Sequence, residues 1–187
     1  MVDPMVLPDG LPAPKDDGGC DHLPSVEVPS VALPGTDGEV YDLRALPGRT
    51  VVYAYPWTGR PGEPLLIDDW DLIPGARGCT PETCGFRDHH AELAALSVRV
   101  FGLSTQGTDY QRELAERLCL PFPVLSDARH ELASALDLPV FRVAGRTLLK
   151  RLTLVISDGA IEHVFYPVFP PDRHAGEVVR WLGERSA

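Results

Sequence analysis

Apolar and polar positions change period several times along this chain, and each change marks an element. Val26-Glu27-Val28 and Val31-Ala32-Leu33, the turn residues Pro34-Gly35-Thr36-Asp37-Gly38 and the following Glu39-Val40-Tyr41-Asp42 predict a small hairpin. Thr50-Val51-Val52-Tyr53-Ala54-Tyr55 is rich in β-formers, stops at Pro56 and predicts a buried central strand. Residues 57–78 are broken by Gly and Pro, and a loop of that length inside a compact domain is usually functional or disordered. From Cys79 the period lengthens to a helix with Phe86, His90 and Leu93 on one face, up to a strand at 99–103. A helix at 108–118 with Tyr110, Leu114 and Leu118 inward, a short strand at Val124-Leu125 and a short helix at 131–136 come next. Leu152-Thr153-Leu154-Val155-Ile156, the turn Asp158-Gly159 and Ile161-Glu162-His163-Val164-Phe165 give the clearest hairpin signal. An amphipathic helix at 172–184, with Val178, Val179 and Leu182 inward, closes the chain.

A central βαβ unit followed by an antiparallel hairpin and a last helix predicts an α/β, thioredoxin-like fold. Its central mixed β-sheet is flanked by helices, with the N-terminal β-hairpin added. The 187 residues, 44% of them hydrophobic, suffice for one substantial core. Residues 1–24, composed of Pro, Gly and Asp with few large apolar side chains, read as a mobile or wrapping arm, and 25–187 as the single domain. The formal net charge of −10, with Lys and Arg scattered, disfavours nucleic acid and anionic membrane as partners. Every apolar run is too short to span a bilayer, and Met1-Val2-Asp3-Pro4 lacks the basic and apolar parts of a secretory signal.

Four cysteines at spacings unlike a disulfide framework fit a reducing cytoplasm. Cys20, inside the arm, reads as an incidental exposed thiol, and Cys119, between two leucines at a helix end, as a buried structural one. Cys79 and Cys84 differ. Pro81 and Glu82 mark a helix start, which puts Cys79 where free N–H groups and the helix dipole stabilise a thiolate. If both residues are helical, their Cα atoms stand about 8–9 Å apart, whereas a disulfide wants roughly 4.4–6.8 Å. Joining them requires the first turns to unwind, a motion Gly85 would ease. Three other readings of the pair stand beside this one: two buried cysteines, a metal site with His89 and His90, or a dithiol reductase. The spacing fits the metal site poorly, and a reductase usually carries C-x-x-C. His163 and the His89-His90 pair read as packing or surface residues, and 166–171, rich in aromatics and prolines, as a pocket wall or an interface.

Gly78-Cys79-Thr80-Pro81-Glu82-Thr83-Cys84-Gly85-Phe86-Arg87-Asp88 resembles the active-site segment of the Q-type peroxiredoxins, the group of bacterioferritin comigratory protein. The resemblance continues through Val100-Phe101-Gly102-Leu103-Ser104, Leu120-Pro121-Phe122-Pro123-Val124-Leu125-Ser126-Asp127 and Arg151-Leu152-Thr153-Leu154-Val155-Ile156, covering roughly residue 26 onward. It implies a peroxidase that reduces hydrogen peroxide and small organic hydroperoxides, as a monomer or homodimer, without a bound cofactor. Cys79 would become a sulfenic acid, Cys84 would resolve it as an intrasubunit disulfide, and thioredoxin or a similar dithiol would reduce that bond. Arg151 would sit over the thiolate, held by Glu82; the chemistry of thiolate, sulfenic acid and guanidinium agrees. The family's hydroxyl residue before the cysteine is missing, for Ala76 stands there. The family's Tyr-Pro start resembles Tyr55-Pro56 instead, as though 63–77 were inserted, and Pro56 and Thr58 are then the displaced partners. A redox- or metal-sensing module with weak peroxidase activity is the alternative function.

Overall fold

A five-stranded mixed sheet forms the centre of the structure, a computed structural model in which residues 5–185 are described. Strands β3 (Arg49–Ala54), β4 (Arg99–Ser104) and β5 (Val124–Ser126) run parallel, while β8 (Leu152–Ser157) and β9 (Ala160–Phe165) are antiparallel, in the order β5-β4-β3-β8-β9. The β3 run pairs on both edges, with β4 and β8, so both its faces are buried. Val52 and Ala54 point into one core layer with Phe101, Leu103, Leu154 and Ile156. Val51 and Tyr53 point into the other with Val100, Val124 and Val155. Strand geometry alone makes that division, since successive side chains face opposite ways.

The second layer receives the helices that frame the site: α1 (Cys79–Asp88), α2 (His90–Ala95), α3 (Thr108–Arg117) and α5 (His174–Gly183), through Phe86, Leu93, Leu114, Val178 and Leu182. The single helix expected after Cys79 is two. The backbone loosens at His89, φ −92° and ψ 5°, and the second segment turns to bring Leu93 into the core beside β4. Tyr53 stacks on Phe86 with ring centroids 4.3 Å apart, joining the central strand to α1. Its phenol occupies the room a Cβ at Gly102 would need, for such an atom would lie 2.8 Å from the Tyr53 hydroxyl. α4 (Glu131–Ala135) covers the other face through Leu132 and Ala133.

The N-terminal hairpin is short, β1 (Leu33–Pro34) against β2 (Val40–Tyr41), and Tyr41 packs edge-on against Phe101. A further hairpin, β6 (Val140–Val143) and β7 (Arg146–Leu149), turns through Ala144 and Gly145, both at positive φ. That is the two-residue turn whose twist suits paired strands.

The expected mobile arm, in its described part 5–24, lies along the domain; residues 1–4 fall outside the described residues, as do 186 and 187 at the other end. Leu23 is fully buried in the first core layer, and Asp17 bonds Lys150 and the Tyr166 hydroxyl. Cys20 is buried beside Leu23, which corrects its reading as an exposed thiol; burial, reinforced by the acidic side chains around it, pushes it up to about 12. Cys119 is the reverse correction, exposed where burial was expected, because Leu118 ends its helix and Cys119 itself turns outward at φ 50°.

Two stability measurements follow from this packing. Leu23→Ala should cost about 2–5 kcal/mol in urea unfolding, and a loss near zero would show the arm to be dispensable to the core. His174, buried between Phe86 and Phe165 with its Nε2 2.8 Å from Thr153 Oγ1, is held down at about 3 by burial and by nearby Arg151. The unfolded chain accepts a proton there near 6.5 that the folded chain refuses, so this contribution is complete above 6.5 and is lost as pH falls toward 3. The stability gap between the wild type and His174→Gln should shrink by about 2 kcal/mol between pH 7 and pH 5; a gap independent of pH would contradict it.

Candidate active site

β3 ends at the sheet's carboxyl edge, and the chain then makes the long excursion 57–78 before returning to begin α1. The return is made by Gly78, in left-handed conformation at φ 102°. A Cβ there would lie 2.3 Å from Pro171 Cγ and 2.9 Å from Leu7 Cδ2, so neither space nor conformation admits another residue. Cys79 is therefore delivered at the first turn of α1 with its side chain buried, 3% exposed. The turn's N–H groups and the positive end of the helix dipole face that position.

Arg151 approaches from the start of β8, its Nη2 3.1 Å from Cys79 Sγ. The same Nη2 donates to the carbonyls of Ala76 and Arg77, at 3.3 and 3.2 Å, while Nη1 pairs with Glu82 Oε2. Both charged side chains are buried, 1% and 0% exposed. Three further contacts meet the sulfur: the main-chain N–H of Trp57 donates to it, the thiol can donate to Ala76 O at 3.5 Å, and the Tyr55 phenol lies close by. Burial pushes the Cys79 thiol above its ordinary value. Arg151 and the Trp57 N–H pull it down, and the Glu82 carboxyl adds to the upward side. Burial likewise pushes Glu82 up to about 7 against the pull of Arg151. Burial thus opposes the thiolate while the guanidinium is arranged to receive one.

Cys84 lies one and a half turns along α1, also buried, and burial raises its thiol while Arg87 opposes. Its Sγ is 4.0 Å from Met5 Sδ. The arm continues over the start of the helix: Val6 O accepts from Arg77 Nη2 at 3.2 Å, and Leu7 packs under Gly78. On the far side of α1, a Cβ at Gly85 would lie 3.3 Å from Ala175 Cβ, so Gly85 is where α5 packs closest. Thr83 Oγ1 donates to Cys79 O at 2.9 Å and receives the Tyr53 hydroxyl at 3.4 Å.

Of the residues singled out in the sequence, Cys79, Glu82 and Arg151 meet in one cluster, and Cys84 sits on the same helix. Pro56 lines a cavity beside Arg151. The buried Thr58 hydroxyl is engaged by Gln106 and by the Tyr55 phenol that lies beside Cys79. Thr58 Oγ1 donates to Gln106 Oε1 at 3.0 Å, which also accepts the Thr58 N–H, while Gln106 Nε2 returns a bond to Thr58 O. The excursion does come back to its origin, but it is the main chain at Trp57 that meets the sulfur. Sequence reasoning missed Trp57 and Gln106. A backbone donor leaves no residue signature, and Gln106 stands in an unremarkable Ser-Thr-Gln-Gly stretch. His89 pairs with Glu92, and His90 packs on Phe122. Among the described residues no group of three or more His, Cys, Asp or Glu is placed to hold a metal ion, and no helix is long and apolar enough to cross a membrane.

Residues 23–179 match the Redoxin family. Over 164 residues the chain is 32% identical to the peroxiredoxin Bcp of Escherichia coli, across 85% of this chain and 94% of that protein. It is 28% identical over 157 residues to the chloroplastic peroxiredoxin Q of Oryza sativa subsp. japonica, across 83% of this chain and 64% of that protein. The crystal structure of peroxidoxin BcpB from Mycobacterium tuberculosis matches the fold with a TM-score of 0.69 at 27% identity, covering 87% of this chain and 98% of that one. The chain belongs to the Redoxin family and, within it, to the Q-type peroxiredoxins, thiol-dependent peroxidases built on a thioredoxin-like fold.

Proposed function

We propose that Cys79 is the cysteine that attacks the peroxide, Cys84 the one that resolves it, and Arg151 the group that orients substrate and sulfur. The observation that carries this reading is the Arg151 guanidinium, buried and 3.1 Å from a sulfur at a helix start. The Cys79 thiolate attacks one oxygen of a hydroperoxide, the O–O bond breaks, and the departing oxygen takes a proton to leave as water or alcohol. Cys79 is thereby oxidised to a sulfenic acid. Arg151 lowers the cost of negative charge on sulfur and on the departing oxygen. Each polar contact that an entering peroxide makes in the pocket offsets part of the burial that holds the thiol protonated.

Cys84 then attacks the sulfenic sulfur, water leaves, and a Cys79–Cys84 disulfide forms. That bond needs α1 to open, which breaks the contacts of Met5 with Cys84, of Leu7 and Pro171 with Gly78, and of Ala175 with Gly85. A thioredoxin-type dithiol returns the pair to thiols. Glu82 fixes Arg151, and Pro56 and Trp57 bring the end of β3 to the pocket. Hydrogen peroxide and small organic hydroperoxides are the substrates, a reducing cytoplasm is the setting, and one protomer holds the whole site.

Cys79→Ser should abolish turnover of hydrogen peroxide with a dithiol reductant. Cys84→Ser should still consume one equivalent and stop, with Cys79 trapped as a sulfenic acid. Peptide mapping of the oxidised wild type should find the Cys79–Cys84 bond. Steady turnover by Cys79→Ser, or a disulfide mapped to Cys20 or Cys119, would overturn the assignment.

A further inference from the structure

The inserted loop decides how much of the sulfur's surroundings is open to substrate. Cys79 lines a recess whose apolar walls are Trp57, at the end of β3, and Leu65, Leu66 and Trp70 from the loop. The volume open to the centre of a water-sized sphere is about 40 Å³. Hydrogen peroxide fits such a space whole, whereas the substituent of a larger hydroperoxide must extend past the walls of Leu65 and Leu66. A larger cavity of about 260 Å³ lies beside Arg151, between Ile73, Phe141 and Tyr166, but Cys79 is not on its lining.

The loop wall is braced from behind. Trp70 is 4% exposed and packs with Ala76 and Leu148 in a small core of its own, its ring 6.4 Å from that of Phe141 on β6. A short 3₁₀ turn, Trp70–Leu72, and the pairing of Arg77 with Asp71 at 3.6 Å close the loop on itself. The wall over the sulfur is thus fastened to the β6–β7 hairpin.

We propose that loop 63–77 is a size filter, with Leu65 and Leu66 as specificity-determining residues that make the enzyme selective for hydrogen peroxide over bulky organic hydroperoxides. The inference rests on Cys79 being the reacting sulfur. Both leucines are half-buried and outside the cluster of Cys79, Arg151 and Glu82, so they can be shortened without touching the chemistry.

The test is kcat/KM for hydrogen peroxide and for cumene hydroperoxide in the wild type and the double variant Leu65→Ala/Leu66→Ala. The wild type should favour hydrogen peroxide, and in the double variant the ratio of kcat/KM for cumene hydroperoxide to that for hydrogen peroxide should rise about tenfold. Leu66→Trp, which narrows the recess without removing its support, should move the ratio the other way. Equal turnover of both substrates by the wild type, or a common factor of change for both in the double variant, would overturn the filter. Absence of turnover with either substrate in the wild type is a different result and would overturn the peroxidase assignment beneath it.

Discussion

The guanidinium of Arg151 is held by Glu82 in a place that water does not reach, and the rest of the site is arranged around that contact. Two charges withdrawn from solvent are tolerable only when each satisfies the other, and removing one partner leaves the other buried and unpaired. Glu82 is on α1 and Arg151 opens β8, so the pair fixes the helix start against the sheet as well as fixing the arginine. Nη1 is taken by Glu82, and the two N–H groups of Nη2 are shared among the carbonyls of Ala76 and Arg77 and the sulfur. Glu82 anchors the arginine, although its burial pushes it up to about 7 against the pull of that cation. The short path Cys79–Thr80–Pro81–Glu82 is thus a unit: the buried thiol and the carboxyl that holds the cation beside it share one helical turn.

The parts of this arrangement that were legible in the sequence are those that local pattern or motif carries. β3 and the β8–β9 hairpin announced themselves by apolar runs bounded by turns, and Cys79, Cys84, Glu82 and Arg151 by their stretches of chain. The β6–β7 hairpin did not. Apolar pairs at Val140-Phe141 and Leu148-Leu149 blur its alternation, Ala144-Gly145 stands where Asn-Gly would have signalled the turn, and Ala144 takes a positive φ that its residue type gives no reason to expect. Burial of Cys20 was hidden for a different reason: the composition around it is that of an arm, and only the groove offered by Leu136, Leu138 and Leu149 makes burial favourable. Thr58 was the natural hydroxyl to assign, and the competing amide of Gln106, 48 residues away in sequence, claims it.

The loop 57–78 is the clearest case of a segment that sequence can delimit but not interpret. Its Gly and Pro residues mark it as a loop, and its Trp and Leu residues say that it buries something. Which surface it covers depends on the β6–β7 hairpin, whose Phe141 and Leu148 receive Trp70. A loop without its own core borrows one, and here the borrowed core lies beside the Cys79 sulfur.

The arm draws a last consequence from its path. Met5, Val6 and Leu7 rest on Cys84, Arg77 and Gly78, the last two leading into α1 and the first on its second turn. Any opening of that helix therefore detaches the chain's outermost residues from their seat, while Leu23 stays anchored in the core. Under the proposed cycle, a change at one hidden sulfur would thus be carried outward to the exposed Met5 and Val6.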